Sequence, residues 1–546
     1  MSNSLTVDAF LADPAAGADL LSRIWEEVPL LDDIPAHSIA DGQLLRFRGM
    51  VQDMPNPVFY YDHYSVQNSK TGEVSVRRGK YRDGLICGPE EIPMLESDDT
   101  TSAERRPFYC VNVPALNSWS RLSSKYSAMP PCSTKRSAED MDVDDTDASK
   151  RLRISNGASN EPDGAAVTPA PVNLHVPIPS DKDRACVIHV YDSTDESLKV
   201  NDIIDVVGFA YSNGMDQDCV EVPPSVAPRL HAIALRTLSH VNPLVTIATD
   251  RQQVLEGAAA LRSELHLALT QLFLGDRLAA DFAICHLLAN VYARRDIDVC
   301  GKFSLNLFNV PVDPAYTSGV YDLLSLLVSK SHFFPMSLEN MNTSDLVPVK
   351  DYENNRLKSG VLQLSDRTHI VLDETKLEAG KLLERGVKNV QALNTLLTEQ
   401  TVNYDFKFYN VPFATNIPVL VLSEGKSLLR CDTHVKLVPD SSGCGSIPDT
   451  LAAVKAYLKE PLLSSVRVYL TVASTSEFTL PEDMSETIQD DLVAMRQANP
   501  QLTPADMHSH VVLARLLALS LGQTRLTKEL WEQATRLEKL RRARIV

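Results

Sequence analysis

The sequence predicts a multidomain protein of the α/β plus β class, in which a β-barrel with an insert precedes an α/β domain and a helical end. Three observations support this prediction. Strand-like alternation occurs on both sides of a segment rich in Ser, Asp, Pro and Ala. Short apolar strands alternate with helices from about residue 229, and only helical periodicity remains from about residue 482. The length of 546 residues allows three or four domains of ~150 residues each.

The predicted domain boundaries follow these changes of pattern. An N-terminal helical segment and the first half of the β domain occupy residues 1–126, and the second half of the β domain occupies 185–228. A disordered acidic insert separates them at 127–184. The α/β domain spans 229–480, and the C-terminal helical region spans 481–546.

The composition is that of an ordinary globular protein, with 44% hydrophobic and 23% charged residues. No stretch approaches the ~18 apolar residues that a membrane span needs, and the N-terminus lacks the pattern of a signal peptide. The nine cysteines are scattered and never form a C-x-x-C pair. We therefore expect a reducing intracellular compartment, no membrane association, no metal site and no disulfide framework.

The formal net charge of −18 argues against nucleic acid as the principal ligand. A surface this acidic repels phosphate backbones unless one face is separately basic. The C-terminal stretch RLEKLRRARIV, at 536–546, is basic. Its cations either complement the negative end of a helix dipole or contact nucleic acid, and we favour the first interpretation. Direct binding of duplex DNA is therefore not expected.

Two groups of strand-like segments predict one small barrel. LLRFRGMVQDMPNPVFYY, from Leu44, alternates and then breaks at two prolines, and RPFYCVNVPAL at 106–116 is typical of another strand. After the insert, RACVIHVYD and KVNDIIDVVGFA continue the pattern. Asn201-Asp202 is predicted to turn the chain, and Gly208 is predicted to relieve a tight bend. Together these segments indicate an OB-like β-barrel with a long insertion.

The insert has few large apolar residues, so we expect it to be disordered. It contains two basic clusters. Lys135 and Arg136 form the first, and Lys150, Arg151 and Arg153 form the second. An exposed, compact basic cluster is a segment that a nuclear import receptor can bind, although the same charges could simply balance the acidic run beside them. We favour import, and hence a nuclear location.

The α/β domain contains a segment that resembles a phosphate-binding loop without its chemistry. In LFLGDRLAADFAICHLLA, residues 272–289, a short apolar run that we predict to be a strand reaches Gly275, and a helical pattern follows. Working loops read G-x-x-x-x-G-K-[ST], and here Ala280, Asp281 and Phe282 occupy the Gly, Lys and Ser/Thr positions. A carboxylate at the lysine position would repel phosphate by roughly 4 kcal/mol at ~4 Å. The loop is therefore predicted to be degenerate.

Two further segments complete the ATPase-like pattern. HIVLDET ends an apolar strand in Asp373 and Glu374, where ATPases hold magnesium and align water, and NIPVLVLSEG ends a second strand in Ser423-Glu424. KFSLNLFNVP is predicted to be another strand, followed by a helix around 319–331. We predict a degenerate AAA+-like domain with a parallel sheet, which binds no cofactor and is not an enzyme.

Several segments resemble one family. They are LLRFRGMVQDM, GKFSLNL, ENMN, KDYENNRLKSGVLQL, LDETKLEAGKL, GVKNVQAL, YDFKFYNVPF, SEGKSLL and LSLGQTRLTKELWEQATRLEKLRRARI. These segments are similar to those of the MCM-binding proteins, the mini-chromosome maintenance complex-binding family. The resemblance implies a nuclear, non-catalytic partner of the replicative helicase subunits. It further implies roles in helicase assembly, subunit protection, unloading from chromatin during replication, and sister-chromatid cohesion.

The partner-binding residues are predicted within one polar segment. The candidates are Lys350, Asp351, Tyr352, Asn355 and Arg356, in KDYENNRLKSG. The alternative is that this segment is a helix cap and loop packed on the sheet. The aromatic residues of NYDFKFYNVPF, at 403–413, alternate as in a β-hairpin, and we expect them to be core.

Two other functions are compatible with parts of the sequence. One is a nucleotide-dependent remodelling ATPase, against which the missing lysine and Asp281 argue. The other is a single-stranded nucleic-acid-binding replication factor, which would need basic and aromatic residues on one face of the barrel. The residues that could form such a face are Arg46, Arg48, Arg77, Arg78, Lys80 and Arg82 with Tyr60, Tyr61 and Tyr81.

Overall fold

The structure is a computed structural model that describes most of the chain. The described residues are 5–35, 38–121, 173–180, 183–191, 198–212, 226–295, 298–440 and 446–545. The five predicted nuclear-import residues lie outside them. None of the helices within the described ranges combines the length and apolar composition needed to span a lipid bilayer.

The N-terminal part is mostly β structure. Its elements are α1 (Val7–Ala12), α2 (Pro14–Ile24), β1 (Gln43–Asp53), β2 (Val58–Asn68), β3 (Val74–Arg78), β4 (Glu91–Met94), β5 (Thr101–Asn112), β6 (Ala185–Val190), β7 (Ile203–Tyr211) and β8 (Arg229–Thr237).

The remainder of the chain alternates helices and strands and ends in helices. The first group of elements is α3 (Arg251–Glu256), α4 (Ala258–Leu272), α5 (Arg277–Leu287), β9 (Ala293–Arg295), β10 (Asp298–Cys300), β11 (Leu305–Phe308), α6 (Pro314–Leu327), β12 (Ser331–Pro335), α7 (Leu338–Thr343), β13 (Val349–Asp351) and β14 (Arg356–Lys358). The second group is β15 (His369–Asp373), α8 (Glu384–Glu399), β16 (Thr401–Asp405), β17 (Asn410–Ala414), β18 (Val419–Ser423), β19 (Thr433–Lys436), α9 (Ile447–Tyr457), α10 (Leu462–Ser474), α11 (Glu482–Ala498), α12 (Pro504–Ser520) and α13 (Lys528–Ile545).

Five strands close into a barrel in the order β1-β7-β8-β6-β5, because β5 also pairs with β1. Apolar side chains from alternate positions fill its interior, among them Phe47, Phe108 and Ile188. The predicted β-barrel is confirmed. Strands β2, β3 and β4 form an extension that leaves the barrel between β1 and β5.

The turn and the bend predicted around β7 are both present. Asn201 has a φ of 76°, in the left-handed region. At Gly208 the pairing of β7 with β8 shifts register, and a Cβ there would lie 2.3 Å from the carbonyl oxygen of His231. Only glycine allows the two strands to approach this closely, which is the reason for a glycine at the bend.

The barrel extends further along the chain than the predicted boundary at residue 228. RLHAIALRT was assigned to the α/β domain, but it forms β8, which pairs with both β6 and β7. Strand β8 therefore completes the barrel, and the α/β part begins after it. A barrel strand and the first strand of an α/β domain have the same local pattern, so the sequence alone does not separate them.

Residues 173–180 contact the folded domains, although we predicted disorder up to residue 184. Leu174 and Val176 pack against Met50 and the barrel wall, and the Tyr109 hydroxyl donates a hydrogen bond to the Leu174 carbonyl oxygen at 3.1 Å. These side chains supply apolar surface that the rest of the insert lacks. Such surface explains why this end of the insert packs on the barrel.

The central sheet of the α/β part has five parallel strands in the order β12-β15-β18-β11-β19. When these five strands are numbered by their order in the chain, they lie in the order 2-3-4-1-5 across the sheet. The parallel sheet with helices is therefore confirmed. The helix predicted at 319–331 is α6, which begins at Pro314 and ends at Leu327, so that Ser331 already starts β12.

A second sheet joins two hairpins in the order β14-β13-β16-β17. The hairpin β13–β14 lies between β12 and β15 in the chain, and β16–β17 precedes β18. This sheet also contacts the barrel, since Gln52 Nε2 donates to the Leu357 carbonyl oxygen at 2.8 Å, and the Asn201 amide bonds the Tyr404 hydroxyl at 2.8 Å. The small sheet thus connects the barrel to the α/β part.

Candidate functional site

The carboxyl ends of β11 and β18 form the natural ligand position of the central sheet. The chain leaves β11 for the far edge, returns strand by strand to β18, and then places β19 on the other side of β11. In open α/β sheets, ligands bind in the crevice outside the strand ends where the strand order reverses. The segment from β11 to α6, residues 309–313, therefore occupies the position of a phosphate-binding loop.

The backbone of this segment is bonded to the neighbouring strands. The N–H of Asn309 donates to the Glu424 carbonyl oxygen at 3.0 Å, and the N–H of Val310 donates to that of Ser423 at 3.2 Å. The Asn309 side-chain amide donates to the Leu437 carbonyl oxygen at 2.8 Å. Phosphate loops present such N–H groups to the ligand. Here two of these donors already have protein acceptors.

The start of α6 is also unsuited to an anion. Asp313 is the N-cap, and its carboxylate accepts the N–H of Ala315 at 2.8 Å. Pro314, the first helical residue, has no N–H to donate. The segment NVPVDP at 309–314 contains no Gly, Lys, Ser or Thr. A carboxylate therefore occupies the positive end of the helix dipole, where a nucleotide would place its phosphates.

The strand predicted in HIVLDET is β15, and it ends at Asp373. Asp373 ends β15 beside β18, and its Oδ1 accepts the N–H of Thr375 at 3.0 Å. Glu374 Oε1 accepts the Ser427 hydroxyl at 3.0 Å and the N–H of Leu428 at 3.1 Å. Burial raises the pKa of Glu374. The Asp373 carboxylate therefore holds the turn after β15, and the Glu374 carboxylate holds the turn after β18. The second oxygen of Asp373, Oδ2, is buried without a hydrogen-bond partner among the described residues.

The strand predicted before Gly275 is wrong. Helix α4 continues to Leu272, so the segment is a connection between two helices and not a strand–loop–helix unit. Gly275 has a φ of 90°, and a Cβ there would lie 2.7 Å from Asp440 Cβ. Asp276 caps α5 and pairs with Arg544 of the last helix at 2.6 Å. The turn is thus a helix-to-helix turn closed by protein side chains.

The other residues of that predicted loop belong to the core or to an ion pair. Ala280 and Phe282 are buried, and Phe282 stacks on Phe303 with ring centroids 6.5 Å apart. The carboxylate of Asp281 lies 2.6 Å from the Arg262 guanidinium. Burial would raise the pKa of Asp281, but hydrogen bonds from His266 and Arg262 lower it below its ordinary value. These three residues do not line the strand-end crevice.

The predicted partner-binding residues form the hairpin β13–β14, and the structure divides them between two environments. Asp351 is buried and pairs with Lys358 at 2.7 Å, which lowers the pKa of Asp351. The Arg356 guanidinium lies over the Tyr109 ring of the barrel at 4.9 Å. Tyr352 is 45% exposed at the hairpin tip. The base of the hairpin therefore packs on the barrel, while its tip is accessible.

Comparison with known proteins identifies the family. The family model of the mini-chromosome maintenance replisome factor matches residues 20–545. A Drosophila melanogaster protein named mini-chromosome maintenance complex-binding protein is 37% identical over 578 residues, covering 98% of this chain and 95% of its own length. The proteins of that name from Gallus gallus and Homo sapiens are each 35% identical, covering 95% of this chain and 91% of their own lengths.

The chain belongs to the mini-chromosome maintenance replisome factor family. The resemblance found in the sequence segments is confirmed. In this replisome factor family member, the match spans the barrel, the central sheet and the C-terminal helices alike.

Three of the arginines considered for a nucleic-acid face are held in ion pairs, and one of the tyrosines is buried. Arg46 is 2% exposed, and it pairs with Asp205 at 2.6 Å, as does Arg48. Arg77 pairs with Glu91 at 2.6 Å, and Tyr81 is buried. These charges stabilise the barrel and its extension. The sequence did not reveal these pairings, because alternation does not show which arginines meet a buried carboxylate.

Two features of the structure were not predicted from the sequence. The segment 309–313 follows a strand that was predicted, but it lacks the glycines and lysine by which such loops are recognised. The tip of the hairpin β16–β17 was expected to be core, yet Phe408 is 85% exposed and Tyr409 is 58% exposed. The positive φ of 61° at Lys407 marks a turn there that alternation does not reveal.

Proposed function

We propose that this protein binds MCM helicase subunits as a subunit-shaped partner that does not hydrolyse ATP. The observation that carries the proposal is the name of its relatives, mini-chromosome maintenance complex-binding protein, at 33–37% identity over nearly the whole chain. The order 2-3-4-1-5 of the parallel strands agrees with an AAA+-like fold. A barrel ahead of such a domain is the outline of an MCM subunit.

The strand-end crevice supports the absence of catalysis. The loop from Asn309 to Asp313 has its first donors bonded to protein and a carboxylate at the helix start. Asp373 remains at the strand end where an ATPase holds magnesium, but the phosphate-binding half is missing. A subunit of this kind docks by the faces that ring subunits use and leaves each site it shares without phosphate ligands.

The proposal extends to the processes in which this binding acts. We place it in the assembly of the helicase, in the protection of its subunits and in unloading from chromatin during DNA replication, with a role in sister-chromatid cohesion. The unloading role follows from the proposed shape, since a partner shaped like a ring subunit would compete for the same neighbouring subunits. The family resemblance supports the remainder.

The first test mixes the purified chain with each purified MCM subunit and measures complex formation by size-exclusion chromatography. Binding of Mg²⁺·ATP and its turnover are measured on the same preparation, with an active MCM subunit assembly as positive control. We expect a stable complex with at least one subunit and neither nucleotide binding nor turnover by this chain. Turnover by the chain alone would favour the remodelling ATPase, and tight binding of single-stranded DNA without subunit binding would favour the nucleic-acid factor.

Nuclear import is proposed to use the basic clusters of the insert. Replacing Lys150, Arg151 and Arg153 by alanine removes three charges from an acidic chain and leaves the described domains unchanged. We expect the nuclear-to-cytoplasmic ratio of a fluorescent fusion to fall several-fold. A variant with alanine at the exposed residues Lys528, Arg536 and Lys539 controls for loss of charge alone, and an equal fall in both variants would contradict the assignment.

A further inference from the structure

An aromatic cluster lies where two hairpins of the small sheet meet, and we name it the aromatic tip. It consists of three exposed rings, Tyr352 from the β13–β14 turn and Phe408 and Tyr409 from the β16–β17 turn, together with Phe406, which is partly buried against the neighbouring apolar core. The Tyr352 and Phe408 ring centroids are 5.8 Å apart, and those of Phe406 and Tyr409 are 5.3 Å apart and nearly parallel. Phe408, 85% exposed, is the most accessible of the four. Contiguous exposed apolar surface of this kind marks interaction sites.

The aromatic tip is held in one conformation. The Tyr352 hydroxyl donates to the Phe406 carbonyl oxygen at 3.1 Å, which ties one hairpin to the other. Asp405 accepts the N–H of Lys407 at 2.6 Å within its own turn. Lys407 and Asn355 have φ angles of 61° and 47°, a region that costs a lysine roughly 1 kcal/mol or more. The contacts of the β16–β17 turn hold Lys407 in this conformation, and they thereby fix the position of the neighbouring Phe408 ring.

The base of the small sheet is fixed to the barrel. The N–H of Leu357 donates to the Asp53 carboxylate at 2.8 Å, and Gln363 Nε2 donates to the Gln52 carbonyl oxygen at 2.8 Å. Arg356 stacks on the barrel residue Tyr109. The tip is therefore a rigid projection from a fixed base, and its binding costs little conformational entropy.

The shape of the tip indicates the chemistry of its partner. Lys407 makes no ion pair within the described part of the chain, and Glu353 and Asp405 lie in the same two hairpins, so the charges near the rings are of both signs. A convex group of rings that already contact one another fits a pocket, whereas single-stranded nucleic acid needs a basic groove along which bases stack in succession. The chain's net charge of −18 also disfavours nucleic acid.

We propose that the aromatic tip is the anchor that inserts into an apolar pocket on an MCM subunit. This inference rests on the proposed function. Phe408 fills the pocket, and Tyr409 and Tyr352 pack on its rim. Of the predicted partner-binding candidates, this proposal retains Tyr352, and it adds the turn at 406–409.

The test compares the double variant Phe408→Ser/Tyr409→Ser with a matched control. The control is Phe59→Ser/Tyr61→Ser on β2, which removes the same two residue types from another exposed position, 72% and 39% accessible. Affinity for each purified MCM subunit is measured by surface plasmon resonance with the full chain, and thermal unfolding is measured on both variants. We expect the tip variant to bind at least about 30-fold more weakly, the effect of an aromatic hot spot. We expect the control to stay within about threefold, as energetically neutral surface positions do.

The outcomes separate the inference from the proposed function. If the wild type binds a subunit and the tip variant binds it equally well, the tip is not the anchor although the proposed function stands. If the wild type binds none of the subunits, the proposed function fails and the inference fails with it. An oligo(dT) arm completes the test, because loss of oligo(dT) binding with subunit binding unchanged would overturn the inference in favour of nucleic acid.

Discussion

Replacing Asp205 by asparagine is expected to lower the free energy of unfolding by about 3 kcal/mol or more. Asp205 is 2% exposed, and its carboxylate accepts hydrogen bonds from Arg46 at 2.8 and 2.6 Å and from Arg48 at 2.6 Å. Asparagine keeps the shape and removes the charge, so the Arg46 guanidinium loses its buried counter-ion and keeps only the exposed carboxylate of Glu26, 2.6 Å away. Removing one partner of a buried pair costs far more than breaking a surface pair, because the remaining charge stays desolvated.

The dependence of this effect on pH has a definite sign. Burial alone would raise the pKa of Asp205, whereas the hydrogen bonds from Arg46 and Arg48 lower it. The second effect is larger, so the pKa of Asp205 lies below its ordinary value. The unfolded chain therefore binds the proton more readily, so the ion pair stabilises the fold above about pH 4 and is lost as the pH falls through the folded pKa. The difference in stability between wild type and Asp205→Asn should thus narrow below about pH 4.

Urea denaturation of the full chain, followed by circular dichroism at pH 7 and at pH 3.5, measures both effects. The matched control is Asp19→Asn, which breaks an ion pair with Arg23 at 2.6 Å whose side chains are 62% and 73% exposed. We expect the Asp19→Asn control to lower the free energy of unfolding by less than about 0.5 kcal/mol. Equal losses in the two variants would show that the barrel does not depend on a buried charge network.

The parts of the fold that the sequence predicts are those set by local pattern. The strand that ends at Asp373 was predicted because a short apolar strand followed by carboxylates is a local arrangement. The turn at Asn201 and the bend at Gly208 were likewise predicted from residues with special backbone freedom. The remaining features of the fold depend on which strands pair with one another. Strand β8 looks like the start of an α/β domain until its partners β6 and β7 are known.

The candidate site was harder to predict for the same reason. The strand order that brings β11 beside β18 depends on contacts between distant segments, so the segment at 309–313 has no signature of its own. The hairpin at 403–413 was predicted, but alternation assigns faces only within the paired strands. Phe408 lies in the turn beyond them, where neither face is defined. Exposure at a hairpin tip follows from the turn geometry.

Replacing Phe282 by alanine is expected to lower the free energy of unfolding by about 3–5 kcal/mol. The predicted strand before Gly275 was wrong because Leu265, Leu269 and Leu272 form one buried helical stripe, and an apolar run at its end is compatible with either structure. In a phosphate loop, position 282 would face solvent and tolerate serine. In the structure Phe282 is 1% exposed and packs on Phe303, so alanine leaves a cavity and serine also buries a hydroxyl.

Chemical denaturation of Phe282→Ala and Phe282→Ser against wild type distinguishes the two arrangements. The control is Leu267→Ala on the neighbouring helix α4, because Leu267 is 49% exposed and its replacement should lower the free energy of unfolding by less than about 1 kcal/mol.

We further expect Asp281→Lys/Phe282→Ser, which restores the loop consensus at two positions, to bind no Mg²⁺·ATP and to lose the ion pair with Arg262. Unchanged stability of the serine variant, together with ATP binding by the double variant, would place the phosphate loop at 275–282 after all. Because α5 buries Phe282 between the sheet and the last helices, we expect the cavity penalty to decide the outcome.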